Sequence, residues 1–399
     1  MNSFACRVFQ CCFGAGARLL PWRTPEVYTG DGSLLRVADI LRENGLRRPF
    51  VIASRRQCAD EHFRRLQEVL DMQDILLSIF SAVEPNPSVE TVEKIAEQYR
   101  IDRCDCFLVI GGGSPMDAAK AAAALLVRPN RSLSSLAGLL KVRRRIPPFI
   151  AVPTTAGTGS ETTIAAVITG RDHRKYAVSD LFLIPRYAIL DPTLSAGLPP
   201  HITAETGMDA LTHAVEAYLS RFYNTRKTRE QAERAVVTIF SHLERAYRDG
   251  ASLPDRAAML QASFDAGAAF TRASVGNVHA IAHTLGGLYG TSHGLANAVL
   301  LPIVLEDYGA AAYPRLARLA HLVGIQEASA EASARAFIAE IRAMNARMGI
   351  PDHFDCIRSE DISLMASWAC REANPVYPVP VIYDQARFAR VIERSCVKP

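Results

Sequence analysis

Apolar and polar positions along the chain follow two different rhythms. In the first half, short fully apolar runs alternate with stretches of helical spacing. Residues 33–44 read as a helix, 49–53 (PFVIA) as a strand and 59–70 as an amphipathic helix. Residues 75–80 form another short apolar run, and 89–99 return to helical spacing. The run 106–110 (CFLVI) is a continuous apolar strand, followed at once by glycines and an alanine-rich helix to Val127. Residues 149–152 add a further buried strand. Fully apolar short strands separated by helices predict a parallel sheet covered on both faces.

The rhythm changes near 191–200, where Pro192, Pro199 and Pro200 punctuate the end of a strand. Beyond it almost no strand signal remains. Helical periodicity covers 204–219, 228–248, 256–273, 278–289, 313–323 and 329–348. The expected organisation is an α/β dinucleotide-binding domain over 1–196 and an all-helical domain over 197–399, with residues 1–25 leading into the first. A ligand where such halves meet is the default expectation.

Composition narrows the class. Apolar side chains make up 49% of the 399 residues, which excludes a disordered chain. No apolar stretch reaches the roughly 18–20 residues of a spanning helix. The longest, 118–127 and 294–305, are broken by Lys120 or by Asn297 and Pro302. Arg7 interrupts the mildly apolar N-terminus and no basic segment precedes it, so a soluble, cytoplasmic protein is expected. The net charge of +4 is too small to suggest a nucleic-acid or membrane surface. Its informative part is local arginine: Arg55-Arg56, Arg64-Arg65 and Arg143-Arg144-Arg145. The nine cysteines contain no CxxC pair and read as reduced thiols; Cys6, Cys11 and Cys12 lack zinc-site spacing.

Two loops carry ligand-binding chemistry. Gly111, Gly112, Gly113 and Ser114 follow one apolar strand and precede a helix that Pro115 and Asp117 open. Glycines let the backbone approach a ligand, and the helix start offers free N–H groups and a positive dipole end, which suits a phosphate. This is not the GxGxxG fingerprint. The loop Pro153–Glu161 (PTTAGTGSE) follows the strand FIAV, and hydroxyl residues and glycines at a strand's carboxyl end line the crevice where open α/β sheets bind ligands.

The helical half holds a third constellation. Asp209 and His213 share a helix face at i, i+4, and His279 and His283 repeat that spacing. His293 follows in TSHGLANA, a glycine-containing loop entering an apolar helix. Three neutral imidazoles and one carboxylate make a ligand set for a divalent transition metal with positions left open. Spacing leaves open whether His283 or His293 completes it. His62, His173, His201, His242, His321 and His353 lie apart and read as surface or packing residues.

These segments resemble a known family. GGGSPMDAAKA, PTTAGTGSE, GMDALTHAVEAY and HAIAHTLGGLYGTSHGLANAVLLP are similar to the motifs of the iron-containing (group III) alcohol dehydrogenases, in the expected order. Pro85-Asn86-Pro87, Asp191-Pro192 and ANPVYPVP also fit, so the likeness runs from about residue 25 to the C-terminus. The resemblance implies a nucleotide-binding domain, a helical domain, a catalytic metal (Fe2+ or Zn2+) in a cleft, and a homodimer. It carries the metal ligands onto Asp209, His213, His279 and His293, and leaves His283 as a non-ligand active-site residue that relays a proton. Gly111, Gly112, Gly113, Ser114 and Asp117 would hold the pyrophosphate of NAD(P)(H). Thr154, Thr155, Thr163, Lys175 and Asn86 would line the rest of that site.

The implied reaction is reversible hydride transfer between a small alcohol or diol and nicotinamide C4, with the substrate oxygen on the metal. One departure bears on the cofactor. Where many NAD-dependent members carry an acid after the second strand, this chain has Ser54, Arg55 and Arg56, which suits a 2′-phosphate and favours NADP(H). Two alternatives use the same resemblance: a dehydroquinate-synthase-type lyase and a non-catalytic binding protein derived from a dehydrogenase. The first needs a Lys/Arg-rich phosphate site near the metal, and the ligand windows contain none. The second predicts damaged ligands, and all four are present.

Overall fold

Four of the strands are buried at every position, as happens where crossover helices cover both faces of a parallel sheet. In the computed structural model, which describes residues 3–171 and 175–396, nine strands form two sheets. The larger comprises β1 (Glu26–Thr29), β2 (Pro49–Ile52), β3 (Ser78–Phe80), β4 (Cys106–Gly111), β6 (Phe149–Pro153) and β9 (Tyr187–Leu190), in the order β1-β9-β6-β4-β2-β3 and parallel throughout. The smaller contains β5 (Gly138–Leu139), β7 (Ala165–Thr169) and β8 (Lys175–Ser179).

Alternation along each buried strand feeds two cores. Phe107 and Val109 of β4 join Phe50, Phe149 and the alanines of the Gly113–Val127 helix on one face. Leu108 and Ile110 join Val51, Ile150, Val152 and Ile189 on the other. Alanine is the right size for that helix: its small side chains let the backbone lie close over the sheet, and most of the helix is fully buried.

The strand order has a direct consequence for ligand binding. From β2 the chain moves outward to the edge strand β3, then crosses back past β2 to β4 and continues to β6. The direction of winding therefore reverses between β2 and β4, and the crevice beyond their carboxyl ends is where open α/β sheets bind ligands. The glycine turn after β4 and Ser54-Arg55 after β2 both lie at that end.

Contacts divide the chain into one unit of Pro21–Gly197 and a second of Leu198–Pro399 joined by Met1–Leu20. The first residues thus differ from the expected leader into the α/β part. They form a helix, Ser3–Ala17, whose buried face (Cys6, Gln10, Gly14, Ala17) belongs with the helical unit. Arg7 and Gln10 fix it by donating to the carbonyls of Val379, Pro380, Pro375 and Tyr377. The predicted helices are present, and those at Ile362–Ala373 and Gln385–Arg394 are added to them. Among the described residues no helix is long and apolar enough to cross a membrane, and all nine cysteines are free.

Candidate metal and cofactor sites

The Pro200–Leu219 helix is buried along most of its length, so its polar side chains must find partners inside the protein. Asp209 and His213 point from it, His279 comes from the Asn277–Tyr289 helix, and His293 opens the His293–Tyr308 helix. One ligand atom from each of these four residues lies within 4.8 Å of the others. Asp209 Oδ1 is 3.9 Å from His213 Nδ1, 3.9 Å from His279 Nε2 and 3.6 Å from His293 Nε2. Gly294 explains how the third helix comes so close: a Cβ there would stand 2.4 Å from the Glu205 carbonyl oxygen.

This donor set fits a divalent transition metal. It offers three nitrogens and one oxygen, and burial pushes the His279 pKa well below its ordinary value, keeping it a neutral ligand. The side chains of Asp209 and His279 are almost wholly buried, while His293 is 34% exposed, so the cluster has one open side. His283 stands apart from the four. Its ring stacks on His293 with centroids 5.2 Å apart, and its Nδ1 lies 2.6 Å from Glu372 Oε1. Tyr377 donates to the same Glu372 oxygen at 2.7 Å.

Three polar residues that the motif reading passed over complete this region. Asn297 donates to Asp209 Oδ1 at 2.6 Å, and the same nitrogen is 3.2 Å from the Nε2 atoms of both His279 and His293. Glu216 faces the other side of the His279 ring, and Glu372 holds His283. Glu216 was legible in principle: Asp209, His213 and Glu216 fall at i, i+4 and i+7, one stripe of a single helix.

In the α/β unit the predicted cofactor residues fall into two groups. Asn86, Ser114 and Lys175 converge: Lys175 Nζ donates to Asn86 Oδ1 at 2.8 Å, and the Asn86 amide is 3.4 Å from Ser114 Oγ. Gly112 faces Thr155, whose hydroxyl would be 3.0 Å from a Cβ at Gly112, so a larger residue would close the turn. Thr154 accepts from Gln57 Nε2 at 3.1 Å, tying the turn after β2 to the loop after β6. The second group faces inward. Asp117 accepts from Ser160 Oγ and the Val167 amide, and Thr163 accepts from the fully buried Lys120. Both of them brace the loop with bonds already made. Likewise the Ser54 hydroxyl caps the short helix after β2 by accepting from the Gln57 amide, and Arg56 reaches the Gly197 carbonyl. Arg55 is exposed. His62, His201, His242, His321 and His353 take no part in either site; His242 pairs with Asp255 and His353 with Asp352. His173 lies outside the described residues.

A glycine turn at the winding reversal of a parallel sheet suits a phosphate-bearing ligand, and the Asp/His₃ cluster suits a divalent metal, which together define the class as a metal- and nucleotide-binding α/β plus helical protein. Comparison with known proteins makes the assignment specific. Residues 24–192 match the family described as iron-containing alcohol dehydrogenase, and residues 203–394 match its C-terminal counterpart. The 1,3-propanediol dehydrogenase of Klebsiella pneumoniae is 40% identical over 306 residues, 75% of this chain and 78% of that one. The NAD-dependent methanol dehydrogenase of Bacillus methanolicus is 32% identical over 360 residues, covering 88% and 94%. A crystal structure of a 1,3-propanediol oxidoreductase superposes with a TM-score of 0.89 at 33% identity, over 95% of this chain and 100% of the other. The chain belongs to the iron-containing alcohol dehydrogenase family and is an oxidoreductase acting on CH–OH groups.

Proposed function

We propose that the chain interconverts a small neutral alcohol or diol and its carbonyl partner, with Asp209, His213, His279 and His293 holding the metal. The observation that carries the reading is the convergence of these four donors within 4.8 Å, with His293 on the open side. When bound, Fe2+ or Zn2+ supplies Lewis acidity toward the substrate oxygen, and the nicotinamide supplies or accepts the hydride. The chain's own residues hold the metal, bind the dinucleotide and move the proton. Assaying short aldehydes and diols by nicotinamide absorbance, with Fe2+ or Zn2+ added back to chelated protein, tests the reading directly. No turnover with any of them would sink it.

His283 is the proposed proton relay. Glu372 fixes the ring through Nδ1, so the base is oriented by a third group, as relays require. The His283→Ala variant should keep its metal and lose roughly 10²–10⁴-fold in kcat. Metal analysis of the purified variant checks this, and loss of metal would mean that the ligand set is wrongly drawn.

The dinucleotide is proposed to lie along Gly111, Gly112, Gly113, Ser114, Thr154 and Thr155, with Asn86 and Lys175 beside it. Asp117 and Thr163 then serve by bracing the loop. Arg55 is the proposed contact for a 2′-phosphate, supported by its exposure and by the absence of an acid after β2. Changing Arg55 to Ala should lower kcat/KM for NADPH by roughly 10- to 100-fold, the equivalent of one charged hydrogen bond, and leave NADH unchanged. A wild-type preference for NADH would defeat this assignment. A homodimer is the proposed assembly, checked by a light-scattering mass twice that of the chain.

A further inference from the structure

We propose that Glu216 is the positioning residue for His279: a buried carboxylate that keeps the imidazole proton on Nδ1 and so leaves Nε2 bare as a metal donor. This rests on the proposed role of His279 as a ligand. Glu216 Oε2 is 2.6 Å from His279 Nδ1 and accepts from the Gly276 amide at 2.7 Å, while Oε1 accepts from the Val278 amide at 2.8 Å. Both side chains are 2% exposed, so no water competes for these bonds.

The tautomer follows from counting donors. Asn297 Nδ2, which donates to Asp209 Oδ1 at 2.6 Å, also stands 3.2 Å from His279 Nε2, so Nε2 faces a donor and keeps its lone pair. The neutral ring then carries its proton on Nδ1, where Glu216 Oε2 accepts it beside the Gly276 amide. Nε2 is left with its lone pair on the side where Asp209 Oδ1 and Asn297 stand. The ligand helix thus supplies two donors and a clamp on one stripe, at Asp209, His213 and Glu216. By accepting from Gly276 and Val278, Glu216 also satisfies free amides at the start of the helix that carries His279. One group therefore sets both the entry of that helix and the rotation of its ring. Gly276 is part of the device: a Cβ there would lie 2.7 Å from Glu216 Oε1. Outer-shell carboxylates of this kind raise ligand basicity and affinity.

The Glu216→Gln variant keeps the size but has one acceptor oxygen for three donors, and its NH₂ opposes an N–H. Chelator competition should show metal binding weakened by roughly 10- to 100-fold relative to wild type. A purely structural role would lower the melting temperature of the metal-free protein and leave metal affinity at the wild-type value, and that result overturns the proposal. His279→Ala is measured in parallel. If it binds metal like wild type, the ligand set fails; if it loses metal while Glu216→Gln does not, only the present inference fails. Should Glu216→Gln not fold, ¹⁵N imidazole NMR of the Zn2+-loaded wild-type protein decides. A proton on His279 Nδ1 supports the proposal, and one on Nε2 overturns it.

Discussion

His279→Ala is expected to purify without its divalent metal and to lose at least about 10³-fold in kcat/KM, since Lewis-acid stabilisation is worth several kcal/mol and each 1.36 kcal/mol is tenfold. His279 is the most informative ligand to remove. It is buried in the cluster, its ring stacks on His213 at 4.5 Å, and it lies at 5.3 Å from His293. Alanine removes one donor outright. Asp209, His213 and His293 remain, but three donors hold a metal less tightly than four, and Asn297 loses one of its contacts at the centre. Chelation of the wild-type protein should reproduce the loss, and adding Fe2+ or Zn2+ should restore activity to wild type but not to the variant. Circular dichroism controls for folding. Stoichiometric metal and full turnover in the variant would remove His279 from the ligand set.

Much of this site could be read from spacing, and the exceptions share a cause. The pairs Asp209/His213 and His279/His283 stood out because i, i+4 spacing places two side chains on one face. That same spacing could not choose between His283 and His293, because the choice depends on how two helices cross. The structure groups His293 with Asp209 and gives His283 to Glu372, and Glu372 is 89 residues away in the chain. Glu216, Asn297 and Glu372 act by satisfying other groups, and nothing in local periodicity marks a partner that comes from elsewhere. The small sheet of β5, β7 and β8 was missed for a related reason. β5 is two residues long and β8 is mostly half-buried with a lysine and a serine at its ends, and the alanine-rich run 164–168 beside them lacks the large aromatic side chains of the central strands. The Ser3–Ala17 helix buries small and polar residues and exposes Phe4, Val8 and Phe9, which reverses the usual amphipathic pattern. The parallel sheet was the most legible part, because strands buried on both faces read as unbroken apolar runs.

Lys120 is the other residue whose loss should be felt strongly, through stability and cofactor binding together. It sits fully buried among the alanines of the Gly113–Val127 helix, and a charge buried there must be paired inside. Its ammonium donates to the Ser160 carbonyl at 2.6 Å, the Thr163 hydroxyl at 2.8 Å, the Thr163 carbonyl at 3.0 Å and the Ala165 carbonyl at 3.2 Å. The buried carboxyls of Asp117 and Glu161 stand nearby and favour its charge. Burial pushes its pKa down to about 8, so at pH 7 the cation persists. Methionine has a similar length and no donor, so Lys120→Met leaves those carbonyls without a partner and the carboxyls without a counter-charge. Breaking a buried pair from one side costs about 3–5 kcal/mol. For a unit of this size that corresponds to roughly 6–20 °C in the melting transition of the α/β part. Glu161, already raised to about 7 by burial, loses the cation that pulls it down and takes up a proton, which holds the cost toward the lower end. A Lys120→Met/Glu161→Gln double variant should therefore lose less than the sum of the singles. Because Ser160 and Thr163 frame the loop after β6, KM for the dinucleotide should rise while metal content stays at the wild-type level. Additive losses in the cycle, or an unchanged melting temperature for Lys120→Met, would show that the ammonium holds neither the carboxyls nor the loop.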